Sequence, residues 1–268
     1  MPEKVDLYNS SYANYEADVY RDVRLDTYGE DLGQTSWVTQ EESAEIPQFL
    51  GLNQNSSVLE VGCGSGGYAL HVAEKVGCRI VGLDVNEHGI RTANQLASRK
   101  GPVVRARFHQ CDVSQRLPFE ENAFDATFAN DVLCHVPGRA EVLRDLHRVL
   151  RPGGRMLFTD ALVVGGIVSH EEIAVRSSIG FYLYSPPGVN ERLLEQARFR
   201  LLRTEDTTER AAQIAERRHA AREKRKTELI KLEGAANFEG VQRFLLCVHH
   251  LTAERRLLRF LYLAEKTT

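Results

Sequence analysis

The feature that most constrains how this 268-residue chain can fold is a rhythm of short apolar runs and helical patterns. Runs at 57–61 (SVLEV), 79–84 (RIVGLD), 105–110 (RARFHQ) and 124–129 (FDATFA) read as buried strands. A fifth, 154–160 (GRMLFTD), follows the turn Pro152-Gly153-Gly154. One helix opens at Tyr68. A second covers 88–100, with Ile90, Ala93, Leu96 and Ala97 near helical spacing. A third covers 139–150, with Val142, Leu143, Leu146, Val149 and Leu150 on one stripe. Strands alternating with helices imply an α/β protein whose parallel sheet is covered on both faces. The right-handed crossover rule then gives a Rossmann-like, doubly wound topology. Beyond 160 the rhythm changes. Strands are expected at 199–208 and 256–266, and a charged helix at 209–233. Segments 166–195 and 209–250 read as cap elements over the C-terminal edge of the sheet, where open α/β sheets bind ligands.

Composition excludes several classes. Hydrophobic residues make up 43% and charged residues 26%, which is ordinary for a soluble globular chain. No apolar run is long enough to span a bilayer, and the first residues hold no signal-peptide core. A net charge of −3 gives no global basic field for nucleic acid or membrane. The one dense basic run, 217–226, has no interleaved aromatics and shares its helix with Glu209, Glu216, Glu223, Glu228 and Glu233, so it reads as a solvated face. The five cysteines form no C-x-x-C pair, so neither a zinc nor a redox motif is expected. Reduced thiols in a cytoplasmic protein are the expectation.

Between the first strand and its helix stands Gly62-x-Gly64-x-x-Gly67, with an extra glycine at 66. By pattern alone this loop suits a dinucleotide or another nucleoside cofactor, and Asp84 at the end of the second strand suits a ribose in either. Three features favour the second. Glu60, inside the strand end, suits a cofactor with a cationic group and would repel a pyrophosphate. Asp112 after the third strand can accept from an adenine amino group. The third feature is Phe124-Asp125-Ala126 with Val132-Leu133, followed by Val149-Leu150-Arg151-Pro152-Gly153-Gly154.

Together these residues resemble a class I S-adenosylmethionine-dependent methyltransferase, over about residues 55–160. The resemblance implies a seven-stranded sheet with its last strand antiparallel, an N-terminal lid and helical cap insertions. It implies S-adenosylmethionine as cofactor and S-adenosylhomocysteine as product; Asp131 alone makes no carboxylate cluster past the fourth strand, so no metal is expected. It assigns the loop with Gly62, Gly64 and Gly66 to the methionine part, Asp84 to the ribose, and Asp112 and Val113 to the adenine; Glu60 and Val85 are cofactor candidates beside them. Asn130, Tyr28 and Trp37 are further cofactor candidates.

The stretch Asn130-Asp131-Val132-Leu133-Cys134-His135 resembles the D-x-x-x-H segment of phosphoethanolamine, sarcosine/dimethylglycine and natural-product methyltransferases. His135 is the candidate base, with Asp131 sharing its face if the segment is helical. The other reading of His135 is a pocket wall. Tyr28 to Trp37 resembles the lid of that branch. Tyr12, Tyr15, Tyr182 and Tyr184 are candidate acceptor contacts. His170, Glu171, Glu172 and Arg176 could bind polar groups of the acceptor, with an exposed helix face as the default reading. The chain is thus divided into a lid (1–45), a cofactor core (46–165) and a cap with the last two strands (166–268). The expected activity is methyl transfer to N or O of a small molecule, with neither nucleic acid nor membrane as partner and a homodimer left open. A non-catalytic S-adenosylmethionine-binding regulator, a methyltransferase acting on a macromolecule and a nicotinamide-dependent dehydrogenase are the alternatives.

Overall fold

The computed structural model describes residues 5–267; residues 1–4 of the expected lid lie outside them. Three helices come first: α1 (Tyr8–Ala13), α2 (Asp18–Tyr28) and α3 (Gln40–Phe49). The alternating core follows with β1 (Ser57–Val61), α4 (Gly67–Val76), β2 (Arg79–Asp84), α5 (Glu87–Lys100), β3 (Ala106–Gln110), β4 (Phe124–Ala129), α6 (Arg139–Val149) and β5 (Leu150–Val164). The chain ends through α7 (His170–Arg176), α8 (Val189–Gln196), β6 (Phe199–Asp206), α9 (Thr208–Glu223), α10 (Lys226–Glu233), α11 (Ala235–Ala253) and β7 (Leu257–Lys266).

The seven strands form one sheet in the order β3-β2-β1-β4-β5-β7-β6. β1 to β5 pair in parallel, and β7 runs antiparallel between β5 and β6. The expected seven-stranded sheet with an antiparallel last strand is therefore present. Side chains alternate across it as a period of two requires. Val58, Ala126 and Phe128 enter one apolar layer with α4 and α5, while Leu59, Val61 and Ala129 enter the other with α6 and α8. Both faces are covered, which is why these strands read as continuous apolar runs.

Local chemistry sets the helix ends. The Asn86 side chain accepts from Gly89 N at the start of α5, and Thr39 and Glu42 form a reciprocal capping box on α3.

Three expectations need correction. β5 begins at Leu150, not 154: Pro152-Gly153-Gly154 is absorbed into a bulge where the register with β4 shifts. The helix expected over 209–233 is two helices, broken at Lys224 and Arg225. Its basic run is not a solvated face throughout. Arg218 and Arg222 are buried, Arg222 donating to Glu233 and Gln242 and Arg218 to the Thr35 carbonyl. No described helix is long and apolar enough to cross a membrane.

Candidate active site

A cavity of about 340 Å³ opens over the C-terminal ends of β1, β2 and β4. Its floor is the glycine loop. Gly62 N and Cys63 N both donate to the Leu83 carbonyl, 2.7 and 2.9 Å, which ties the loop to β2. Gly64 N donates to Asp84 Oδ2 at 2.8 Å, and Asn86 N donates to Asp84 Oδ1 at 2.8 Å. The Asp84 carboxylate thus fixes both the loop and the entry to α5, and burial raises its pKa despite those N–H bonds. The close packing explains the glycines. A Cβ on Gly62 (φ +70°) would fall 2.2 Å from Val132, one on Gly64 2.5 Å from the Tyr12 hydroxyl, and one on Gly67 1.6 Å from the Leu32 carbonyl oxygen.

Those contacts also identify the roof. Leu7, Tyr8 and Tyr12 of the N-terminal segment, with residues 32–37, close the cavity from above. Tyr12 reaches Thr35 Oγ1 at 3.0 Å, and the Leu32 carbonyl rests on Gly67.

Of the residues expected at the cofactor, Gly62, Gly64, Asp84, Val85, Asp112, Val113, Asn130 and Trp37 line this cavity. Glu60, Gly66 and Tyr28 do not. Glu60 points to the α4 side of β1, beneath the loop; burial drives its pKa well up, and its Oε2 has no hydrogen-bond partner among the described residues. Gly66 (φ +78°) makes the turn into α4 against Ala93 and Phe108. Tyr28 donates to the Ser36 carbonyl at 2.8 Å and supports the 32–37 segment from behind. Asn130 is buried on the cavity wall with both amide atoms unpartnered among the described residues.

The far end of the cavity is aromatic. His135 ends a short 3₁₀ turn, Leu133–His135. Its Nδ1 lies 3.2 Å from the Phe181 carbonyl, which can only accept, so Nδ1 carries the proton. Nε2 is then the lone-pair nitrogen and accepts from the Tyr8 hydroxyl at 3.1 Å. The Tyr182 ring packs on the imidazole with centroids 4.2 Å apart. Burial first, and the Arg176 charge second, lower the His135 pKa to about 4. The imidazole is therefore neutral at physiological pH.

This depression has a consequence for stability. The unfolded histidine titrates near its ordinary value of about 6.5, so between there and about 4 only the unfolded chain takes up a proton. Stability contributed by the neutral imidazole is complete above that window and falls as pH falls through it. Urea denaturation at pH 7 and pH 5 is expected to show a larger loss for the wild type than for His135→Gln.

Asp131 does not share a helical face with His135. It sits at φ +59°, ahead of the 3₁₀ turn. Its Oδ1 accepts from Arg259 Nε at 2.9 Å and its Oδ2 from Trp37 N at 2.9 Å. Asp131 lines the cavity with both carboxylate oxygens engaged by these donors. Tyr12 and Tyr182 line the cavity; Tyr15 and Tyr184 do not. Tyr15 packs under the Arg24 guanidinium at 4.6 Å, outside the cavity. Tyr184 bonds Ser177 at 3.0 Å, one layer behind Tyr182. Arg176, expected on an exposed face, is buried in the cavity wall. Its helix is short, and its last turn faces inward. Tyr8 and Tyr68 also line the cavity without having been assigned to it. Tyr8 is four residues from Tyr12, and that spacing was the available signal.

Residues 59–158 match the model of a methyltransferase domain family. The chain carries a methyltransferase domain. The domain holds the glycine loop, Asp84, Asp112, Asn130 and His135. Over 171 residues the chain is 31% identical to methyltransferase GfsG of Streptomyces halstedii, covering 62% of this chain and 60% of that one. It is 32% identical over 166 residues to the sarcosine/dimethylglycine N-methyltransferase of Halorhodospira halochloris, covering 58% and 57%. The chain thus spans less than two thirds of the length of these curated relatives. The fold is shared with the phosphoethanolamine N-methyltransferase 2 of Haemonchus contortus (TM-score 0.81, 20% identity, 96% of this chain and 59% of that one). The methyltransferase domain is thereby class I in its sheet, and its roof and cap come from outside the matched residues.

Proposed function

We propose that this chain is an S-adenosylmethionine-dependent methyltransferase that moves a methyl group to an N or O atom of a small molecule. The observation that carries the reading is one roofed cavity with two unlike ends: a glycine cradle with Asp84 and Asp112 at one, and the Tyr8–His135 pair at the other. The residues present fit the cofactor. Gly62, Gly64 and Gly67 bring backbone close where a Cβ has no room, and Asn130 offers an unspent donor and acceptor on the wall. Asp84 and Val85 would hold the ribose, Asp112 and Val113 the adenine, and Asn130 and Trp37 the methionine end. S-adenosylmethionine supplies a methyl group on a sulfonium, open to in-line displacement.

The chain's own residues would orient the acceptor and exclude water. The Tyr8 oxygen, its proton directed at His135 Nε2, keeps lone pairs for an acceptor N–H or O–H. A proton leaving the acceptor can pass to Tyr8 as the Tyr8 proton passes to Nε2. The roof desolvates the reacting groups. Arg218 and Arg222 are spent on internal bonds, which favours a small molecule over nucleic acid. Five free cysteines support a reducing compartment such as the cytoplasm.

The test is calorimetric titration with S-adenosylmethionine, S-adenosylhomocysteine and NADH in parallel. Binding of the first two without the third is expected, and binding of NADH alone would overturn the reading. Gly67→Ala gives a second check. The new methyl cannot coexist with the Leu32 carbonyl, so the roof must lift, at an overpacking cost of about 1–3 kcal/mol. S-adenosylhomocysteine affinity is expected to fall about tenfold or more, with faster proteolysis around residues 29–36.

A further inference from the structure

Arg176, the last residue of α7, is 1% exposed. Its Nη1 has no hydrogen-bond partner, and no carboxylate pairs with the guanidinium among the described residues. What surrounds it is aromatic: the Tyr182 ring at 4.3 Å, Phe244 at 5.1 Å and Trp37 at 6.0 Å. It lines the cavity at the end that holds Tyr8 and His135. The acids of that region are already engaged. Asp131 serves Arg259 and the Trp37 N–H, and Asp160 serves Arg139 and Asn190. Aromatic faces offset only part of the cost of burying a guanidinium without a counter-ion. The cavity thus has Asp84 and Asp112 at the cofactor end and, at the other, a guanidinium with no carboxylate partner of its own.

We propose that Arg176 receives an anionic group, a carboxylate or a phosphate, carried by the methyl acceptor, and so sets which acceptors the site takes. This rests on the methyltransferase reading above. The planar fork of a guanidinium suits both oxyanions. A purely cationic acceptor is repelled from this end, and a neutral lipid leaves the charge unanswered. An anion seated there also relieves the positive charge beside His135 and makes its imidazole a better proton acceptor.

The test needs no turnover. Trp37 is the sole tryptophan of the chain and lies against Arg176, so its fluorescence reports on the guanidinium. The full chain, with and without saturating S-adenosylhomocysteine, is titrated with sodium acetate and with inorganic phosphate, against sodium chloride at equal ionic strength. A saturable response to acetate, phosphate or both, absent with chloride, is expected in the wild type, and the stronger of the two names the acceptor's anion. Arg176→Gln is expected to weaken it by about tenfold or more, the loss of a charge-assisted pair. Arg176→Lys, which keeps the charge, is expected to keep a weaker saturable response. A wild-type response no different from chloride, or one unchanged in Arg176→Gln, overturns the proposal. If S-adenosylhomocysteine still binds by calorimetry in that case, the methyltransferase reading stands and only the anion site falls.

Discussion

Replacing Arg259 with methionine is expected to cost about 3–5 kcal/mol of unfolding free energy, the penalty for leaving a buried charge without its partner. Arg259 stands on β7 with 0% exposure. Its Nε donates to Asp131 at 2.9 Å, and its Nη1 donates to Glu42 and to Thr207 Oγ1, each at 2.8 Å. One guanidinium therefore joins α3, the loop after β4 and the sheet. Methionine fills much of the volume but leaves the Asp131 and Glu42 carboxylates without their main cation. Arg259→Lys keeps the charge but cannot reach both acids in a fork, so an intermediate loss is expected. The measurement is urea denaturation followed by Trp37 fluorescence, which also senses the site because Trp37 N is bonded to Asp131. A loss under about 1 kcal/mol, the range of an exposed pair, would mean these bonds do not organise the site.

That triad shows where reading the sequence stops. β1, β2 and β4 were legible because buried parallel strands are short, apolar and bounded by turns, and their observed spans match the runs. The glycine loop and Asp84 were legible because the turn and its anchor are set by local geometry. The direction of a side chain relative to a cavity is not local. Glu60, Tyr15, Tyr28 and Tyr184 lie near the cavity in sequence pattern but turn away from it, because strand alternation or helix phase places them a layer behind. Arg176 was given an exposed face by default for a different reason: charge on a short helix is usually solvated, and only the fold shows an aromatic box around it. The bonds that organise the acceptor end join residues 127 and 128 positions apart, Tyr8 to His135 and Asp131 to Arg259. No periodicity carries information over that distance. The D-x-x-x-H spacing pointed to residues that line the cavity but with the wrong internal geometry, since a residue at positive φ breaks the helical face that would have paired the two.

His135→Gln is expected to lower turnover by about 10²–10⁴-fold, the usual range for loss of a positioned proton acceptor. The amide keeps a hydrogen bond toward Tyr8 but cannot take a proton. Affinity for S-adenosylhomocysteine should stay within a few-fold, because the glycine loop, Asp84 and Asp112 are untouched. Tyr8→Phe should fall in the same range, as it removes the hydroxyl bonded to Nε2, which in the proposed reading would bridge it to the acceptor. If the two act as one unit, the double variant loses little more than either alone, a coupling that separate packing roles would not produce. The His135 pKa near 4 makes the imidazole a weak base by itself, so its value depends on the acceptor raising it. An acceptor that neutralises Arg176 would do so, and the acid limb of the pH profile for kcat should then lie above that value in the loaded enzyme. Turnover within a few-fold of wild type in His135→Gln would instead make the imidazole a wall against which Tyr182 packs, with the acceptor already deprotonated when it arrives.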